Sequence, residues 1–239
     1  MSVHRVALVT GASGGLGREI AVSMAGLAAT VIVHYHRDRR GAEETARRIG
    51  KAGAESVVHP ADLSDESEAR GLVVETEKAF GRLDILVNTV GPMLVKSWDR
   101  LTAADWEDMF RRNLWSSYFC LAAALPGMRS RRFGRIINVG FGRAEQLAAF
   151  PTILPYAAAK TGLLILTRTA AAECRGTNVT INMVSPGLLG KGILPAGTKI
   201  PRSALGTFAD VASAVRFLAA DPSGRISGTN ILVAGTWKM

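Results

Sequence analysis

The 239-residue chain has only two cysteines, and they are not placed to act together. Cys120 and Cys174 lie far apart, each inside an apolar, helix-like stretch, and no CxxC or CxxH pair occurs. That argues against a disulfide framework and a zinc site, so no metal is expected. Long apolar runs are missing as well: none approaches the roughly 18–20 residues that span a bilayer, and no membrane partner is expected. The opening Met1-Ser2-Val3-His4-Arg5 lacks the apolar stretch and small-residue cleavage site of a secretory signal. The expectation is a soluble, cytoplasmic protein. Acidic residues are in short supply, 20 against 29 lysines and arginines, for a formal charge of +9. Such a balance raises the question of nucleic acid. However, the arginines are scattered, aromatics make up only 6%, and no basic stripe interleaves with them. A solvated basic surface that partly serves an anionic ligand is the expectation, with no nucleic-acid partner. Repeats, low-complexity tracts and linker-like segments are also lacking, which leaves residues 1–239 as one domain.

What is present is a regular alternation of apolar strand-like runs and amphipathic segments. Val6 to Thr10 is a short apolar run ending in glycines. Leu16, Ile20, Met24 and Leu27 then recur at helical spacing. Further strands are expected at Thr30 to Tyr35, Ser56 to His59, Ile85 to Val87, Arg135 to Val139, Val179 to Val184 and Asn230 to Val233. Helical patterns separate them, including a long stretch from about Thr102 to Met128, where Pro126 is expected to kink or end the helix, and another from Ala157 to Cys174. Strands alternating with helices imply right-handed crossovers. The fold class is therefore α/β: a Rossmann-type, doubly wound, seven-stranded parallel sheet covered on both faces.

Thr10-Gly11-Ala12-Ser13-Gly14-Gly15-Leu16-Gly17 falls between the first strand and the first helix. Glycines there accept positive φ and let the backbone approach a pyrophosphate, while the helix start supplies free N–H groups. A glycine-rich turn alone is a weak signal, but this strand–turn–helix setting points to a dinucleotide. Nucleotide choice is set near the end of the second strand, which reads His34-Tyr35-His36-Arg37-Asp38-Arg39-Arg40. No acid stands at the strand end itself to meet a ribose 2′-hydroxyl. Arg37, with His36 and Arg40, could instead hold a 2′-phosphate. NADPH (or NADP+) is the expected cofactor and NADH the less favoured one; Asp38 is the one group that argues the other way.

From this turn onward the chain resembles the short-chain dehydrogenase/reductase family over essentially its whole length, and within it the 3-oxoacyl-acyl-carrier-protein reductases. Thr10 to Gly17 is similar to the TGxxxGxG cofactor motif, with Gly11, Ser13, Gly15, Leu16 and Gly17 as its contacts. Asp62-Leu63 matches the adenine-binding position. Asn88-Thr89-Val90-Gly91 resembles the NNAG motif, with its second Asn and its Ala replaced. Asn113 falls at the active-site asparagine, Tyr156-Ala157-Ala158-Ala159-Lys160 at YxxxK, and Pro186-Gly187 at the turn near the nicotinamide. The segment Val33 to Arg37 also resembles the pteridine reductases, which use NADPH. The resemblance implies hydride transfer between the cofactor and a ketone, which is small or carried on an acyl carrier. Tyr156 would then be the proton donor, Lys160 would lower its pKa, and Asn113 would hold a water in the proton relay. It also implies a homo-oligomer, a tetramer or dimer built through the two long helical stretches.

Two departures from the family pattern stand out. Gly140-Phe141-Gly142 places Phe141 where the family carries a serine whose hydroxyl bonds the substrate carbonyl. A phenyl ring donates no hydrogen bond, so activity is expected to be reduced. The alternative reading is then a catalytically weak, dinucleotide-binding sensor; a reductase of pteridines or small carbonyls is a further one. Glu145, Gln146 or Thr152 are candidates for a substitute donor, because the gap from Phe141 to Tyr156, at 15 residues, is about two longer than the family's. The segment from Gly187 to Pro201 is short and glycine-rich (Gly190, Gly192, Gly197), which suggests an abbreviated lid.

Overall fold

The computed structural model describes residues 4–190, 201, 204–220 and 224–234. Seven strands form one sheet: β1 (Val6–Val9), β2 (Thr30–Tyr35), β3 (Glu55–Pro60), β4 (Ile85–Asn88), β5 (Gly134–Val139), β6 (Val179–Pro186) and β7 (Asn230–Val233). Their order is β3-β2-β1-β4-β5-β6-β7 and every pairing is parallel. The order reverses direction between β1 and β4, so the loops after those strands diverge and leave a crevice at their carboxyl ends.

Alternation along β1 shows how the sheet holds two cores. Ala7 and Val9 face one layer with Ile20, Met24, Ile49, Val215 and Leu218, which come from α1 (Gly15–Ser23), the turn after it, α2 (Arg39–Lys51) and α7 (Phe208–Ala220). Val6 and Leu8 face the other layer with Leu72, Val73, Cys120, Met128 and Cys174. That layer is built by α3 (Glu66–Phe80), α5 (Ser116–Ser130) and α6 (Leu154–Glu173). Successive side chains of a strand point to opposite faces, so a strand covered on both sides reads as an unbroken apolar run. Both cysteines are free and buried.

The expected helical stretch from Thr102 is interrupted. Thr102 caps α4 (Ala103–Phe110) in a reciprocal capping box with Asp105, and a single π-turn, Arg111–Trp115, joins α4 to α5. Of the two outcomes expected at Pro126, a kink or an end to the helix, the end does not occur: the proline is exposed inside α5, which runs on to Ser130. Met128, fully buried two residues later, anchors the last turn against the sheet and offsets the lost backbone bond. No helix among the described residues is long and apolar enough to cross a membrane, and no cluster of His, Cys, Asp or Glu among them could hold a metal.

Candidate functional site

The glycine turn leads from the end of β1 into α1. Gly11 and Gly15 sit at φ +62° and +53°, where a side chain would be strained, and Gly15 is exposed. A Cβ on Gly17 would come within 2.2 Å of the Gly11 carbonyl oxygen, so only glycine lets the turn close on the helix. The N-cap of α1, Gly14, offers no side-chain cap, and the first turn carries no acid. The leading N–H groups of a nine-residue helix are therefore available to an anion, and a pyrophosphate fits this cradle. Ser13 and Leu16 are half-buried in the same turn; the Ser13 carbonyl accepts from the Arg18 guanidinium, while the Leu16 side chain packs on the core.

Two residues that motif reading passes over hold the turn in place. His34, buried at the end of β2, accepts from the Gly11 N–H at Nδ1 (2.9 Å) and donates from Nε2 to the Ala61 carbonyl (3.0 Å). This bridge needs a neutral ring with its proton on Nε2. Burial, the largest influence, pulls the His34 pKa down to about 4 and so favours that form. Thr45 on α2 donates to the Ala12 carbonyl (2.8 Å) and accepts from Arg18 Nε (2.9 Å). The available signal was a histidine inside a β-branched strand that ends beside the glycine turn.

At the nucleotide end, His36, Arg37 and Arg40 are all exposed beyond β2. His36 lies 3.6 Å from the Asp62 carboxylate, so these two expected contacts face each other. The Ser64 hydroxyl is the main influence holding the Asp62 carboxyl below its usual range. Asp38 is engaged by the fold itself, because its carboxylate caps α2 by accepting from the Gly41 N–H (2.9 Å). Leu63 turns its side chain into the core.

Beyond the crossover, Asn88 donates to Asn138 (2.9 Å), which donates to Thr167 on α6 (2.9 Å). This buried chain ties β4, β5 and α6 together. The Asn88 Oδ1 and Asn113 Oδ1 atoms are buried without a partner. Asn113 sits in the π-turn, its amide donating to the Pro92 carbonyl (3.0 Å). Around Gly91 a Cβ would meet Asn113 Oδ1 at 2.3 Å and Lys160 Nζ at 2.9 Å, so both polar atoms face one small space that a side chain would fill. Lys160 also donates to the Val139 carbonyl (2.9 Å). Tyr156 is one helical turn away on the same face of α6. Burial pushes the Lys160 pKa down to about 8 and that of Tyr156 up to about 12, which is opposite to the lowered phenol pKa expected from the sequence. Pro186 closes β6, and Gly187, whose Cβ would meet Ala234 Cα at 2.8 Å, passes tightly beside the end of β7.

Phe141, half-buried after β5, sets its ring edge-on to Tyr156 (centroids 5.5 Å) and to Phe150 (5.8 Å). Of the expected substitute donors, only Glu145 has its side chain taken up by an ion pair. Glu145 pairs with Arg168, Gln146 accepts from Arg143 Nε (2.7 Å), and Thr152, exposed, offers its backbone carbonyl to the Lys96 N–H (2.7 Å). Of the short Gly187–Pro201 segment, Gly192 and Gly197 lie outside the described residues.

Comparison with known proteins points the same way as the geometry. The short chain dehydrogenase family matches residues 5–194. A 3-oxoacyl-[acyl-carrier-protein] reductase of Staphylococcus aureus is 33% identical, with 98% of each chain covered. A short-chain type dehydrogenase/reductase of Picea abies is 35% identical over 97% of this chain and 91% of its own. The crystal structure of acetoin dehydrogenase from Enterobacter cloacae superposes with a TM-score of 0.88 at 26% identity, covering all of both chains. With its family match across most of its length and relatives above 30% identity over nearly all of it, this chain belongs to the short-chain dehydrogenase family of oxidoreductases.

Proposed function

We propose that the protein is a cytoplasmic NADPH-dependent carbonyl reductase acting on a 3-oxoacyl thioester or a similar ketone. The observation that carries this reading is the approach of Lys160 Nζ and the unpartnered Asn113 Oδ1 to one space beside Gly91, with Tyr156 one helical turn from Lys160 on α6 and a glycine turn shaped for a pyrophosphate after β1. The bound nicotinamide supplies the hydride. The chain's part is to orient the ketone and move a proton. With its pKa pushed up to about 12, Tyr156 is a phenol at neutral pH and can donate to the carbonyl oxygen as the carbon is reduced. Lys160, below its pKa of about 8, carries a positive charge that favours loss of that proton. Asn113 Oδ1 and Lys160 Nζ, facing the same space, suit a water that returns the proton from solvent.

Gly11, Ser13, Gly15, Leu16 and Gly17 would hold the pyrophosphate, Asp62 and the Leu63 backbone the adenine, and Asn88, Gly91, Pro186 and Gly187 the nicotinamide end. Arg37, exposed and in no ion pair among the described residues, supports the preference for a 2′-phosphate. A homo-oligomer assembled through the α4–α5 stretch and α6 completes the reading, supported by exposed Trp115 and Ile165 on those elements. Phe141 supports one second reading, a dinucleotide-binding protein with little catalysis, because its ring stands where a donor would be expected. The discriminating experiment follows NADPH oxidation with acetoacetyl thioesters and a panel of small ketones. Turnover that Tyr156→Phe abolishes supports the reductase. Tight dinucleotide binding with no turnover on any ketone overturns it in favour of the second reading.

A further inference from the structure

We infer that Arg143 is a substrate-specificity residue that recognises an oxyanion on the ketone being reduced. This deepens the reductase reading and rests on it for the position of the substrate. Arg143 lies in the loop after β5, and its guanidinium carbon sits 4.8 Å from the centroid of the Phe150 ring. Phe150 meets Phe141 edge-on, and Phe141 meets Tyr156 in the same way. One aromatic wall therefore runs from the proposed proton donor to a cation.

That cation is uncompensated. Several surface arginines, though not Arg37, pair with an acid four residues away, such as Arg39 with Glu43, Arg48 with Glu44, Arg70 with Glu66 and Arg112 with Asp108. Arg143 makes no ion pair among the described residues. The acid two positions on, Glu145, is taken by Arg168, and the group that meets Arg143 is the neutral Gln146, which accepts from Nε. The stack on Phe150 and the bond to Gln146 fix the guanidinium, half-buried, with both terminal amino groups making no hydrogen bond among the described residues. A fork of two parallel N–H donors, already ordered and partly shielded from water, suits a carboxylate or phosphate. Its immobilisation cost is met before the ligand arrives. The apolar span of Phe141 and Phe150 would lie along the carbon chain between the ketone and that oxyanion. The oxyanion is either a carboxylate of the substrate itself or the phosphate of a carrier arm.

The test uses matched pairs: acetoacetate against its ethyl ester, and acetoacetyl-4′-phosphopantetheine against acetoacetyl-pantetheine. Binding to the NADP+ complex is measured by calorimetry and turnover with NADPH by absorbance. Wild type should favour the charged member of one pair, and which pair identifies the oxyanion. Arg143→Gln should weaken that member by about 10- to 100-fold in binding and KM. Its kcat and its binding of the neutral member should stay unchanged. Arg143→Lys should recover part of the loss. The inference is overturned if wild type prefers neither charged member, or if Arg143→Gln weakens both members of a pair alike. If no ketone is turned over yet the charged preference and its loss in Arg143→Gln persist, the oxyanion site stands and the reductase reading falls.

Discussion

Replacing Phe141 with serine should make the protein a less stable but faster reductase. The phenyl ring makes two edge-on contacts, with Tyr156 and Phe150, each worth roughly 0.5–1.5 kcal/mol. Half-burying a phenylalanine against the cluster of Ala144, Leu163, Leu164 and Met183 adds about 1 kcal/mol. The loss is therefore about 2–4 kcal/mol, which a domain of ordinary stability survives. In return, a hydroxyl would stand beside the Tyr156 phenol, and one well-placed oxyanion donor is worth roughly 10²–10³ in kcat. Steady-state NADPH oxidation with an acetoacetyl thioester, alongside thermal melts, measures both effects. Phe141→Ala is the control, since it removes the ring and adds no donor. A folded Phe141→Ser no faster than Phe141→Ala would refute the idea that a missing donor limits this site.

Three further outcomes follow from the same geometry. Tyr156→Phe should lower kcat by about 10²–10⁴ while leaving the NADPH dissociation constant within a few-fold, read by nucleotide fluorescence; an unchanged kcat contradicts its role as proton donor. The reductive rate should fall as pH rises through about 8, where Lys160 loses its charge, and a rate flat to pH 10 would exclude a charged Lys160 from the reaction. His34, lowered from 6.5 to about 4, binds fewer protons folded than unfolded between those values. Stability should therefore be complete above pH 6.5 and decline by up to about 3 kcal/mol as pH falls toward 4. Urea melts of wild type and His34→Gln should show a shallower decline in the variant.

The fold was legible because its central strands are covered on both faces, so they read as largely apolar runs bounded by turn residues, whereas the edge strand β3 is partly exposed. β2 shows this, since Thr30–Tyr35 is buried throughout. The glycine turn and the YxxxK pair were legible for a similar reason: their spacing is fixed by a tight backbone approach and by one helical turn. What the chain did not reveal depends on long-range contacts. Nothing local places Glu145 against Arg168 on α6, whereas the Asp38 cap, a bond to an N–H three residues on, is a local signal that the cofactor reading passed over. The π-turn that presents Asn113 has no composition of its own. Pro126 does not end the helix because its local penalty is outweighed by burial of Met128 in the α5–β5 layer. The direction of the Tyr156 pKa escaped for the same reason: proximity to Lys160 is readable from spacing, whereas the desolvation that dominates comes from residues distant in the chain.

Fluorescence titration of the purified chain with NADPH and NADH tests the central claim most directly. The account predicts saturable binding of both, with NADPH the tighter and Arg37→Ala removing that advantage by about tenfold. A folded chain, stripped of any carried-over nucleotide, that binds neither at millimolar concentration would contradict it.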